Sequence, residues 1–241
     1  MTTLKAIVRR AAHSVGVEAH TLNVHSSSAY QLRKALEHFR VGKVLDVGAN
    51  VGQFASELLS VGYQGKIVSF EPLSAAHAEA TRVSRKSSDW TVHPRCAIGD
   101  HDGEIEINIA GNSVSSSILP MLESHSNIEA SSAYVGRERV PLFKLDTVGS
   151  QYLSKGERVL LKIDTQGFEW QVLDGASQIL PSVSGVLCEL SLVPLYEGQH
   201  LWLDVISRLE EAGFTLWTIE KGFTDPSSGR SLQVDASFFR V

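Results

Sequence analysis

From about residue 28 the chain alternates helix-period segments with short β-branched apolar runs. Parallel strands need a covered crossover between them, so this alternation restricts the chain to an α/β sheet with helices packed on both faces. The strand runs are residues 43–47, 66–70, 91–98, 159–163, 185–190, 214–219 and 237–241, and helical periodicity fills 54–61, 75–84, 169–180 and 201–212. Ser27 or Ser28 caps an earlier helix carrying Tyr30, Leu32, Leu36 and Phe39, and Gly42 stops it. With 241 residues, 43% of them hydrophobic, one domain buries a sizeable core and no second full-sized domain is expected.

Two stretches break the alternation. Residues 103–109, GEIEINI, alternate strictly and predict an antiparallel strand, paired with 139–143. Between them lies 111–136, rich in serine and nearly aperiodic, a length that in a single domain signals a functional or mobile loop. At the start, Leu4, Ile7, Val8, Ala11 and Val15 line one side of a short basic helix. That pattern predicts docking on the domain's own surface, with a membrane-surface role as the alternative.

Several partners are argued against. Lys and Arg number 22 against 27 Asp and Glu, a net charge of −5, so no global positive field holds a phosphate backbone and nucleic acid is not expected. No apolar run approaches the about 20 residues that span a bilayer, and Arg9 and Arg10 with His13, Ser14 and Glu18 break any secretory leader. Cys96 and Cys188, far apart, build neither a disulfide framework nor a cysteine-rich zinc site. A cytoplasmic location is expected, and a homo-oligomer is left open.

The most informative segment is VLDVGANVGQF, residues 44–54. A buried strand runs through Asp46 into Gly48, Ala49, Asn50 and Gly52 just ahead of a helix, a turn that brings backbone amides against a nucleoside cofactor. The dinucleotide frame G-x-G-x-x-G is absent, since Asn50 and Gln53 stand where glycines are required. Carboxylates recur at the carboxyl ends of five strand runs: Asp46, Glu71, Asp100, Asp164 and Glu189. In an open α/β sheet those ends share the ligand-binding edge. Glu71, about 20 residues beyond the glycine turn and followed by Pro72, is placed to accept ribose hydroxyls.

These residues resemble the class I S-adenosylmethionine-dependent methyltransferases, and more narrowly the FkbM family. The resemblance covers residues 43–241 and is carried by VLDVGANVGQF, IVSFEP (67–72), CAIGDHDG (96–103), NSVSSSI (112–118), VPLFKLDTV (140–148), LLKIDTQGFEWQVLDGA (160–176) and VLCELS (186–191). It implies a Rossmann-like seven-stranded sheet with one antiparallel strand; the helical segment read over 1–42 lies outside the resemblance. It also implies methyl transfer, usually to a hydroxyl oxygen. Carried over by position, Gly48, Ala49, Asn50, Gly52 and Gln53 line the methionine side of the cofactor, and Asp46 supports the loop. Glu71 and Pro72 face the ribose, Ala97 flanks adenine, and Ser117 joins from the serine stretch. Gln166 departs from the family's usual acidic residue, which counts against a metal held through that position.

A hydroxyl acceptor loses its proton as the new bond forms, so a base or metal is expected near the methyl. Asp164 is the first candidate, Glu189 the second, and His200, after PLYEGQH, the third; Glu169 reads as indirect support at a helix start. His125 reaches the site only if the serine-rich loop closes. Two or three carboxylates at one edge suit a divalent metal such as Mg²⁺, which stays open but is not expected, because the cofactor already accounts for several acids and no compact ligand motif is present. Residues 112–134 have the composition of a lid over a hydrophilic acceptor. The working expectation is O-methylation of a small metabolite, a sugar moiety of a glycosylated natural product or glycolipid. An NAD-dependent oxidoreductase and a non-catalytic cofactor-binding protein remain the alternatives.

Overall fold

The computed structural model describes residues 2–16 and 21–241. In chain order the elements are α1 (Thr2–Ser14), α2 (Ser28–His38), β1 (Lys43–Val47), α3 (Gln53–Ser60), β2 (Lys66–Phe70), α4 (Ser74–Ser84), β3 (Trp90–Val92), β4 (Ala97–Ile98), β5 (Gly103–Ala110), α5 (Glu123–Ser126), β6 (Tyr134–Phe143), α6 (Leu145–Val148), β7 (Val159–Ile163), α7 (Glu169–Asp174), β8 (Gly185–Ser191), α8 (Trp202–Glu211), β9 (Thr215–Lys221) and β10 (Gln233–Phe239). Seven strands form the main sheet in the order β3-β2-β1-β7-β8-β10-β9, and β10 alone runs antiparallel to its neighbours. This is the Rossmann-like arrangement expected from the sequence. β1 and β7 lie at its centre and are buried along their whole length, which is why they read as unbroken apolar runs rather than alternating ones. The edge strand β9 alternates between partly buried and exposed residues.

Helices cover both faces. On one, Leu173, Ala176, Val205 and Leu209 pack on Leu45, Leu161, Val186 and Phe238. On the other, Leu32, Ala35, Leu36 and Phe39 meet Val44, Ala55, Leu58, Leu160 and Phe239, so α2, ahead of the first strand, belongs to the core. Phe39 stacks on Phe239 with ring centroids 4.2 Å apart. Each fully buried side chain of this kind contributes about 1.5–3 kcal/mol.

The predicted pairing of the GEIEINI strand is present in a separate three-stranded sheet, β4-β6-β5, with Ile105 opposite Val140. The single strand expected over 91–98 is instead two. Pro94 lacks the N–H a ladder requires, and the chain leaves the main sheet after Val92 to enter the small one at Ala97. The helix expected to reach residue 180 ends at Asp174, because the Asp146 carboxylate accepts the Gln178 and Ile179 N–H groups of a new turn. β10 begins at Gln233, four residues before the alternation suggested. The N-terminal helix forms but does not dock as predicted: Ile7, Val8 and Val15 are 59%, 53% and 74% exposed, and the Leu4 side chain lies outside the described residues. Among the described residues, no helix is long and apolar enough to cross a membrane.

Candidate functional site

The site begins in the middle of the sheet. Register places Lys162 of β7, Asp46 of β1 and Ser69 of β2 side by side. Lys162 Nζ lies 3.1 Å from Asp46 Oδ1, Ser69 Oγ donates to Asp46 Oδ2 at 2.8 Å, and Trp90 Nε1 donates to Ser69 Oγ at 3.0 Å. Asp46 is fully buried and Lys162 nearly so. Burial works against the Lys162 charge, but the Asp46 and Asp164 carboxylates outweigh it and raise its pKa. The same ammonium donates to the Gly48 carbonyl at 2.8 Å, so this polar row anchors the glycine turn from beneath.

The turn itself needs glycine at two places. Gly48 has φ +79°, and a Cβ there would stand 1.8 Å from the Asp164 carbonyl, so β1 and β7 exit against each other. Gly52 has φ +86°, and its Cβ would strike the Trp90 indole at 2.4 Å. Both Glu71 oxygens are held by backbone: Oε2 accepts from Asn50 N at 2.7 Å and Oε1 from Leu73 N at 2.8 Å. Burial raises the Glu71 carboxyl to about 7 against the pull of these two donors.

A cavity of about 410 Å³ opens over the turn, within the range of small-molecule sites. Gly48, Ala49, Asn50, Gln53, Glu71, Pro72 and Ala97 line one end. The other end holds the exit of β7 and the end of β8. Gln166, itself at φ +54°, donates through Nε2 to Asp164 Oδ1 at 2.9 Å and Glu189 Oε2 at 2.7 Å. Gln233 of β10 donates to the same Glu189 oxygen at 2.6 Å. Lys162 lies 3.4 Å from Asp164 Oδ2, so both oxygens of that carboxylate are engaged. Burial, then the neighbouring Asp164 and Asp235 charges, push the Glu189 carboxyl well above its ordinary range. Asp235 faces Glu189 in register and is raised to about 6, first by burial and then by Asp164. Behind this cluster lies a second cavity of about 170 Å³ that also touches Phe54, Lys162, Asp164 and Glu189.

The serine-rich segment is the roof. Ser113, Ser115 and Ser116 line the cavity, as do His125 and Glu129 further along. The segment is pinned by Tyr196, whose hydroxyl donates to Gln166 Oε1 or to the Ser115 carbonyl, and by Leu119, Met121 and Ile128 packed around Leu195 and Tyr196.

Of the residues singled out in the sequence, Gly48, Ala49, Asn50, Gln53, Glu71, Pro72, Ala97, Asp164 and Glu189 converge on this one cavity. Asp46 and Gly52 shape it from outside. Ser117 does not line it: buried, it donates to the Gln166 carbonyl at 2.6 Å and so holds the strained turn after β7. His200 does not reach it either, because it stacks on Trp170 at 3.9 Å with Asp204 Oδ2 3.9 Å away, on the flank of α7 and α8. Asp100 is exposed beside His101, since the strand preceding it belongs to the small sheet. Glu169 accepts from Thr165 N and Gly167 N, and burial raises it to about 7; it braces the turn. Sequence reasoning missed Lys162, Phe223, Gln233 and Asp235. A lysine within LLKID was the one available signal.

Among the described residues, no group of three His, Cys, Asp or Glu side chains has the arrangement of a metal site. Among curated proteins, no sequence match reaches significance. Among solved structures, the FkbM methyltransferase from Methylobacillus flagellatus KT superposes with a TM-score of 0.51 at 14% identity, over 81% of this chain and 43% of that one. The chain thus spans less than half of that protein. Magnesium protoporphyrin IX methyltransferase from Synechocystis PCC 6803, solved with bound S-adenosylmethionine, aligns at 12% identity with a TM-score of 0.47, over 98% of this chain and 97% of that one. The family model for the methyltransferase FkbM domain matches residues 46–216, which run from the buried aspartate of β1 through the lining of the cavity except Phe223 and Gln233. The chain belongs to the FkbM family of S-adenosylmethionine-dependent methyltransferases.

Proposed function

We propose that this chain transfers a methyl group from S-adenosylmethionine to a hydroxyl oxygen of a small polyhydroxylated acceptor, a sugar moiety of a glycosylated natural product or glycolipid. The observation that carries the reading is one cavity running from the glycine turn and Glu71 to the Asp164, Gln166, Glu189 and Gln233 cluster beneath the serine roof.

The residues present fit the cofactor. Glu71 is a buried acid on the cavity wall, and ribose hydroxyls donating to it offset the burial that raises its pKa. Gly48, Ala49, Asn50 and Gln53 surround the amino-acid end, while Pro72, Leu73, Ala97 and Ile98 offer an apolar slot for the base. When bound, the cofactor supplies an electrophilic methyl carbon open to in-line displacement. The chain's work is then to align the acceptor and exclude water. Two amides, two carboxyls and the hydroxyls of Ser115 and Ser116 at the far end offer donors and acceptors for several hydroxyl groups. The chain's net charge of −5 repels a phosphate backbone, which favours a small neutral acceptor over nucleic acid. The Lys162 ammonium and the Gln166 NH₂ stand between the acids and hold them in place.

Isothermal titration with S-adenosylhomocysteine and with NAD, on wild type and Glu71→Ala, tests the cofactor. Loss of charge-assisted hydrogen bonds predicts about tenfold or weaker binding of the homocysteine product in the variant. Transfer of labelled methyl is then followed on panels of glycosides, amines and RNA. Binding of NAD alone, or label entering only amines or RNA, overturns the reading.

A further inference from the structure

Among the described residues two histidines are buried, His93 and His125, and His77 is half-buried. His93 Nδ1 bonds the Tyr152 hydroxyl at 2.8 Å, and His77 Nε2 meets the His93 carbonyl at 2.8 Å. His125, in α5 of the roof, is 2% exposed and makes no side-chain hydrogen bond among the described residues, with Nδ1 sealed and unpartnered. Leaving such a group unsatisfied costs about 1–3 kcal/mol. Its ring is wedged edge-on to Tyr196 at 5.3 Å and tilted against Phe223 at 5.3 Å, so its orientation is set by packing. It lines the same cavity as Asp164, Gln166, Glu189 and Gln233.

We propose that His125 is the general base of the acceptor subsite, taking the proton of the hydroxyl that becomes methylated. This rests on the hydroxyl-acceptor reading above and adds the group that performs the proton transfer. The acids at the cavity's far end suit the task less well. Both Asp164 oxygens are occupied by Lys162 and Gln166, and the Glu189 carboxyl is pushed well above its ordinary range by burial with Oε2 already taken by two amides. The His125 ring is kept neutral, because burial between two aromatic rings lowers its pKa and the opposing pull of Glu129 is the smaller effect. Tyr196, the titratable group packed on it, has its hydroxyl pKa raised by burial. A neutral imidazole carries one lone pair, which suits it to accept a proton at pH 7. As the O–H bond breaks, its proton goes to the lone pair of Nε2, since Nδ1 is sealed from the cavity and keeps the ring N–H, and the electron pair left on oxygen becomes the new oxygen–methyl bond. The methyl–sulfur bond breaks with its pair retained on sulfur. One positive charge leaves the sulfonium and one appears on imidazole, so the cavity's net charge is unchanged. Solvent then removes the proton.

The test combines His125→Gln with a measurement on the unaltered protein. In ¹³C-labelled wild type, the His125 ring signals, assigned through their contacts with Phe223 and Tyr196, are expected to titrate below the ordinary imidazole midpoint of about 6.5. They are also expected to shift when S-adenosylhomocysteine and saturating methyl β-D-glucopyranoside are added together. With the best glycoside of the panel, kcat should fall on the acid side of the pH profile. In His125→Gln that limb disappears, and kcat drops by about 10²–10⁴ with KM nearly unchanged. Product affinity in the variant should stay within about twofold of wild type, which separates the two claims. A wild-type protein that binds no homocysteine product defeats the functional reading. Intact product binding with an unchanged pH profile in His125→Gln defeats the base assignment alone. An imidazole that is charged at pH 7, or unmoved by the glucoside, also overturns that assignment and does so without the variant.

Discussion

Replacing Lys162 by Met tests the polar row on which the glycine turn rests. At 3.1 Å from Asp46 Oδ1, the ammonium attracts that carboxylate by about 5 kcal/mol at an effective dielectric of about 20, a gain reduced by the cost of dehydrating both groups. Removing one partner is more severe than the net value of the pair. Asp46 is 0% exposed, and Ser69 Oγ would then be its one remaining donor among the described residues. An uncompensated charge of this kind costs about 3–5 kcal/mol. Met keeps the aliphatic stem near Phe54, so packing losses are small. Urea unfolding near pH 7 should therefore give a lower midpoint with an unchanged slope. In Lys162→Met with Asp46→Asn both charges are gone, and about 2 kcal/mol or more should return as coupling between the two sites. The Gly48 carbonyl loses its donor in either protein, so affinity for the homocysteine product stays weakened even where stability recovers. A loss below about 1 kcal/mol in the single variant, or strict additivity in the double, refutes the account.

Other outcomes follow from the same geometry. Glu71 is raised from 4.5 to about 7, so its ionisation opposes folding: the stability present below the lower value is lost as pH rises through the upper one. Between pH 5 and 8 this group alone removes about 2–3 kcal/mol, and Glu71→Gln should flatten the measured slope by that amount; parallel slopes refute it. Gln166→Glu places a third carboxyl against Asp164 and Glu189, and its unfolding free energy should fall by about 1–3 kcal/mol more at pH 8 than at pH 5. Gly52→Ala meets both a positive φ and the Trp90 ring, and should cost about 2–4 kcal/mol with a red-shifted indole emission. His200→Ala, outside the cavity, should leave product affinity within about twofold, and a larger loss would place that side chain in the site after all.

What could be read beforehand follows from how locally each feature is encoded. The strand–turn–helix at Asp46 to Gln53 and the acid after β2 are local, since a buried strand, a positive-φ glycine and a strand-end carboxylate all lie within a few residues of one another. Asp100 follows an apolar strand just as Asp164 does, and only sheet membership separates the exposed one from the one in the cavity. Asp235 and Gln233 were invisible for the converse reason. They lie on the one antiparallel strand, where the active edge meets the strand's beginning rather than its end. His200 looked favourable at a helix start and is occupied with Trp170, whereas His125 looked remote and is carried to the cavity by Tyr196 and Phe223, residues 71 and 98 positions further along the chain.

Several polar side chains of the site, some named from the sequence and some not, share a physical trait: their surroundings, supplied by distant segments, are hostile to them. Lys162 sits in the centre of a buried strand, Glu189 beside two other acids, Gln166 at a positive φ, and His125 between aromatic rings without a hydrogen bond. Hydrophobic burial of Leu45, Leu161, Val186 and their neighbours supplies the stability that such placements consume. The sheet can hold these groups because partners reach them: Lys162 stands opposite Asp46 in register, and the Gln166 and Gln233 amides donate to Glu189. His125 has no such match among the described residues. With Nδ1 sealed, the ring's place on the cavity wall is what directs attention to an acceptor hydroxyl as the partner of Nε2.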